Sequence, residues 1–177
     1  MNEVGALARN ATLQAMIEFV TSAEHGPDTG REGRIAEAVG PFLDRPELLA
    51  GFDCSGCSNR FVRHLLHQHR DAGWAMVAIV WERGQASPVH GHRRWCAFGV
   101  YRGWIEERTF TLGSSSSSKT VPLRTVPRPM GPTSCGPAAI TLIHQLANVL
   151  DATAVSIHVY RVRYDCFGKA VNWVYAA

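Results

Sequence analysis

The spacing of apolar residues changes character once along this chain. Over residues 6–23, Ala6, Leu13, Met16, Ile17 and Val20 recur on one face at helical spacing, which predicts a helix. His25-Gly26-Pro27-Asp28 ends it. A second helical stretch begins near Arg31 and carries Ile35, Val39, Phe42 and Leu43. Arg45-Pro46-Glu47 then restarts a short helix, with Pro46 tolerated in its first turn. Residues 59–69, read as a helix, set His64 and His67 on one solvated face. The expectation is a mainly helical cap over residues 1–70.

From Trp74 the pattern is that of strands. Ala75-Met76-Val77-Ala78-Ile79-Val80-Trp81 is a short, almost wholly apolar run, as in a buried strand. Cys96–Gly103 and Trp104–Leu112 follow, the second mixing β-formers with charge. Gly113 and Ser114–Ser118 predict a flexible surface loop. Three prolines in 121–129 allow an edge strand at most. Ala138–His144, Ala154–Tyr160 and Val171–Tyr175 complete the strand candidates. Many strands without helices between them predict an antiparallel barrel or sandwich over residues 74–177, forming one domain, 1–177, with the cap.

Composition narrows the class. A chain of 177 residues with 46% hydrophobic residues supports one sizeable core. The net charge of +3 is small and its cations are scattered, so no nucleic-acid partner is expected. No apolar run reaches the roughly 18 residues of a membrane span, and Met1-Asn2-Glu3-Val4 does not begin like a signal peptide. Five cysteines, an odd number, fit reduced thiols in a cytoplasm. Cys54-Ser55-Gly56-Cys57 has neither the βαβ context of a redox motif nor the second pair of a zinc site. It reads as two loop or cap thiols, and Cys135 and Cys166 as small buried or loop residues.

The chemistry concentrates in Ser87-Pro88-Val89-His90-Gly91-His92. On a strand, His90 and His92 point the same way, and neutral imidazole is the commonest metal-binding side chain. Two histidines hold a metal weakly. A third ligand must come from elsewhere, and His144 and His158 are both candidates.

Gly84, His90, His92 and Gly103 resemble the first cupin motif, G-x5-H-x-H-x3,4-E-x6-G, and His144-Gln145-Leu146-Ala147-Asn148 resembles the end of the second, H-x3-N. The glutamate position holds Cys96. With Ser156-Ile157-His158-Val159-Tyr160 downstream, the chain looks like a thiol dioxygenase of the cysteine dioxygenase family. That resemblance covers about residues 59–160. It implies a mainly β fold, the cupin double-stranded β-helix (jelly-roll) barrel with a helical N-terminal cap. It also implies Fe(II) on His90, His92 and His144, and oxidation of L-cysteine to the sulfinate by O2. It further implies that Arg63 pairs with the substrate carboxylate, that Ser156, His158 and Tyr160 form a relay, and that Trp81 lines the pocket. In animal members a cysteine near the glutamate position forms a thioether with the relay tyrosine, so a link between Cys96 and Tyr160 is a hypothesis here.

A three-histidine set leaves the +2 charge of the metal unmatched, which favours an anionic thiolate ligand. Family members acting on 3-mercaptopropionate tend to have glutamine at the place of Arg63, so that thiol is the nearest alternative substrate. A non-catalytic metal-binding sensor is another. The chain departs from the family in Ala139 and Thr141, which replace P-x-G before His144, and in Gly91, which replaces a common aspartate. Whether it acts as a monomer or a homo-oligomer stays open.

Overall fold

The computed structural model describes residues 10–113, 119–167 and 171–176. Ala6 of the first helix and the run Ser114–Ser118 lie outside them. Helix α1 spans Ala11–Glu24 and starts at Asn10, whose side chain accepts from the Leu13 amide at 3.0 Å. The Asn10 amide also donates to the Leu48 carbonyl at 2.9 Å, tying the cap residue to the next segment. Helix α2 spans Arg31–Val39 and continues as a single 3-10 turn over Gly40–Phe42. Residues 45–47 form turns rather than a helix: the Leu48 amide bonds back only three residues, to Arg45.

Ten strands follow: β1 Val62–His69, β2 Trp74–Trp81, β3 His90–His92, β4 Cys96–Arg102, β5 Trp104–Leu112, β6 Thr120–Pro129, β7 Thr133–Gly136, β8 Ile143–Ala147, β9 Ala154–Tyr160 and β10 Asn172–Val174. They form two five-stranded antiparallel sheets in the orders β1-β2-β9-β4-β7 and β10-β3-β8-β5-β6. Apart from the β1–β2 and β5–β6 hairpins, successive strands alternate between the sheets, the winding of a double-stranded β-helix. The fold is therefore the expected mainly β jelly roll with helices at its N-terminus.

The first sheet is covered on both faces, which is why β2 is buried throughout. Trp74, Met76, Ala78 and Val80 pack with α1, α2 and Leu43. Val77, Ile79 and Trp81 pack with Ile105 and Leu146 of the second sheet. Strand β9 divides the same way. Val155, Ile157 and Val159 face the helices, so Ser156, His158 and Tyr160 face the barrel interior. Two glycines permit this packing. A Cβ on Gly99 of β4 would lie 2.3 Å from Leu43 Cδ1, so the bare backbone lets Leu43 seat on the sheet. Gly103 joins β4 to β5 at φ +78°, a left-handed conformation that glycine adopts without strain.

Several sequence expectations are corrected. Residues 62–69 are strand β1, not helix, so the barrel begins before residue 70. The segment pairs with β2 from Val62↔Val80 to His69↔Trp74, with a bulge between Leu65 and His67. His64 and His67 therefore do not share a helical face. Residues 138–142 are turn, and the strand expected there starts only at Ile143. Strand β7, short and polar, was not expected. Strand β6 lies at a sheet edge, where its three prolines can be accommodated. All five cysteines are free; Cys54 and Cys57 lie in irregular chain, and Cys135 and Cys166 are exposed. No helix among the described residues is long and apolar enough to cross a membrane.

Candidate metal centre

Strand register brings the three histidines together. His90 and His92 project from one face of β3, and His144 of β8 lies directly opposite His90 across the ladder. The ring centroids are 4.6–5.0 Å apart, and one nitrogen from each ring lies within 4.8 Å of the other two. It is the single metal-competent cluster of three or more such side chains among the described residues. His158, the other candidate for third ligand, is not in it.

Hydrogen bonds at the far ring nitrogens decide which atoms face inward. The Pro88 carbonyl can only accept, so His90 Nδ1 donates to it at 2.8 Å and leaves Nε2 as a lone pair. Glu107, ionised, likewise makes His144 Nδ1 the donor at 2.8 Å. His92 Nε2 and His144 Nε2 are 3.0 Å apart, close to the roughly 3 Å between two nitrogens each about 2.1 Å from one ion at a right angle. His92 Nδ1 and Asn172 Oδ1 are both buried without a partner. They become a matched donor and acceptor once His92 Nε2 is used as a ligand. The residues present fit a divalent cation held by three imidazoles.

Electrostatics agree. Burial, then the nearby His144, pushes His90 down to about 3. The same two causes, with His90 itself, hold His92 well below the ordinary histidine range. Both are neutral near pH 7, the form that binds metal.

Glu107 is the residue that sequence reading missed. It is 6% exposed on β5, it holds His144, and it accepts from Arg128 Nε at 2.8 Å and from Ser134 Oγ at 3.4 Å. Burial pushes its carboxyl up, but His144 and Arg128 outweigh that and hold it below the usual range. The sequence reading of three imidazoles did not include this charge: the Glu107 carboxylate stands behind His144, outside the cluster of ligand nitrogens. The signal was its place two residues after buried Ile105, on the inward face of β5.

The other predicted side chains converge from β1, β2 and β9. Arg63, Trp81, His158 and Tyr160 line a cavity of about 20 Å3 with His90, His92 and His144. Trp81 Nε1 donates to Ser156 Oγ at 2.9 Å. Because indole only donates, Ser156 turns its own proton to His158 Nε2, 2.8 Å away. His158 Nδ1–H then faces the Tyr160 oxygen at 3.1 Å. Burial first, then Arg63, holds His158 well below its ordinary range, so it is neutral with its one proton on Nδ1. Tyr160 consequently keeps its own O–H for the cavity or for Cys96. Cys96 lies opposite Tyr160 across β4 and β9, and both side chains belong to the same buried cluster. Burial raises the Cys96 thiol well above its ordinary range. Arg63 has no acidic partner among the described residues, and its buried Nε is unbonded.

Asn148, of the H-x3-N pattern, is fully buried and has a structural task. It donates to the carbonyls of Trp81 and Ala152, each at 2.9 Å, and so fastens the end of β8 to β2. With Ala139 and Thr141 in the preceding turn, His144 is aimed by its register with His90 and by Glu107.

No family model matches the sequence. The chain is similar to solved structures at low identity. One is an uncharacterized conserved protein with a double-stranded β-helix domain from Klebsiella pneumoniae, at 13% identity and TM-score 0.47 over 70% of this chain and 90% of that one. A second is a sugar phosphate isomerase from a cupin superfamily from Silicibacter pomeroyi, at 19% identity and TM-score 0.42 over 56% and 58%. A third is an oxalate oxidase in complex with the substrate analogue glycolate, at 19% identity and TM-score 0.45 over 63% and 55%.

Proposed function

We propose that this chain is a cytoplasmic, mononuclear iron thiol dioxygenase that converts L-cysteine to its sulfinate. One observation carries the proposal: the Trp81–Ser156–His158–Tyr160 hydrogen-bond chain ends in the cavity that also holds the three clustered histidines and an unpaired arginine. His90, His92 and His144 would hold Fe(II), which when bound supplies O2 activation beside a thiolate. Both oxygen atoms enter the thiol sulfur, so no further reductant is consumed.

The remaining steps belong to this chain's residues. Arg63 offers a guanidinium with no acidic partner, suited to a substrate carboxylate through two parallel donors. Tyr160 presents its O–H to the same cavity, with neutral His158 donating to the phenol oxygen from behind. Trp81 fixes the sense of the chain, because its N–H can only donate. The cavity of about 20 Å3 has room for about one or two waters. Cysteine is larger than that space, so in this reading the side chains that line it, Arg63 among them, must give way to admit the substrate.

Oxygen uptake by the anaerobically iron-loaded protein tests the proposal. L-cysteine is expected to stimulate uptake and yield the sulfinate, and His90→Ala to abolish both iron retention and uptake. Stoichiometric iron without uptake on L-cysteine or 3-mercaptopropionate would overturn it. Comparing kcat/KM for the two thiols in wild type and Arg63→Gln tests the substrate: a shift towards 3-mercaptopropionate supports Arg63 as the cysteine clamp.

A further inference from the structure

A second, larger cavity begins at His92 and His144. Its volume is about 350 Å3, within the size range of small-molecule sites. The two histidines are the only lining residues that it shares with the cavity of Arg63. Its walls come from both sheets. Phe98 of β4, Phe110 of β5 and Ile143 before His144 are buried there. Leu123 and Leu142 also line it, yet they are 64% and 48% exposed. They are two of eleven exposed large apolar residues among those described, and these two border a cavity that continues inward between Phe98 and Phe110.

The charges are unequal. Arg128 faces the cavity, but it is bound to Glu107 and its charge is matched. Arg124 of β6 lines the same space and has no acidic partner among the described residues. The cavity therefore carries an excess of one positive charge beside an apolar interior. We propose that it is a binding site for a small monocarboxylate with an apolar body, the carboxylate on Arg124 and the body against Phe98, Phe110 and Leu142. Cysteine and O2 lack the apolar surface to fill such a space, so this ligand is distinct from the reactants proposed above. The site does not depend on thiol oxidation, and its inner end abuts two of the metal-competent histidines.

Calorimetric titration of the full chain with octanoate tests the site, in chelator-treated buffer of low ionic strength so that no metal chemistry intervenes. Octanoate is expected to saturate at one site per chain. Octan-1-ol, without the charge, and acetate, without the body, are each expected to bind at least about tenfold more weakly. Arg124→Gln should weaken octanoate by roughly three- to tenfold, as expected for a partly exposed charged contact. Leu123→Ser, at an exposed position that threatens no core, should weaken octanoate too. Absence of saturable binding, octan-1-ol binding as tightly as octanoate, or an unchanged Kd in Arg124→Gln overturns the proposal. So does a loss confined to Arg63→Gln, because it would put the anion in the other cavity. Failure of oxygen uptake with cysteine, by contrast, leaves all these outcomes as they are.

Discussion

Replacing Glu107 by Gln isolates the charge behind His144. The amide keeps an oxygen that can accept from His144 Nδ1, now at 2.8 Å from the carboxylate, and keeps a similar volume. What is lost is the negative charge in a site where Glu107 and His144 side chains are only 7% and 13% exposed. A hydrogen bond to a charged partner is worth about 1.5–3 kcal/mol and a neutral one about 0.5–1.5, so the difference is about 1–1.5 kcal/mol, close to tenfold in affinity. That lies at the lower end of the roughly 10–100-fold found when such outer partners of metal-binding histidines are changed. The assay is iron(II) or zinc(II) competition against a chromogenic chelator, with the fold checked by circular dichroism. Glu107→Gln is expected to bind metal about tenfold more weakly, and Glu107→Ala more weakly again, because it also removes the acceptor and strands Arg128. Wild-type affinity in Glu107→Gln would refute the role given to the carboxylate.

Other expectations follow from the same geometry. His90 is held at about 3 in the folded chain, against an ordinary 6.5; between these values the unfolded chain binds a proton that the folded one does not, so apoprotein stability should fall as pH drops from about 6.5 towards 3. Urea denaturation across that range, with His90→Asn showing a shallower decline, is the check. Trp81→Phe removes the donor that orders Ser156 and His158, and should lower kcat while leaving metal affinity within about twofold, as read by chelator competition beside steady-state kinetics. Intact mass after exposure to iron, thiol and O2 should show a species lighter by two hydrogens if Cys96 joins Tyr160, absent in Cys96→Ala; no such species in wild type excludes the thioether. Gly99→Ala drives a methyl towards Leu43 Cδ1 and should cost about 1–3 kcal/mol in chemical denaturation, part of it recovered on adding Leu43→Val.

How much could be read without the fold depends on how local the cause is. A strand's alternation follows from its pleat, so His90 and His92 shared a face, and Ser156, His158 and Tyr160 shared another, before any neighbour was known. Proline chemistry likewise confined Thr120–Pro129 to an edge. Val62–His69 misled because its two leucines and three histidines suit a helical face as well as an edge strand. Pairing with β2, through a bulge, decides in favour of the strand.

Four features are fixed by tertiary structure, and the family resemblance had pointed only to the first two. The choice of His144 over His158 in the cluster is a matter of register, His90 opposite His144, between strands some fifty residues apart in sequence. The contact of Cys96 with Tyr160 depends in the same way on β4 and β9 being neighbours. Glu107 reads in sequence as one of several charges on a mixed strand; its task appears only where β5 lies beside β8 and sets it against His144. The larger cavity has no sequence signature, being the space left between strands of both sheets. Residues along one strand share a face because backbone geometry repeats every two positions. Residues on different strands meet only through hydrogen-bond register and side-chain packing, to which the whole core contributes.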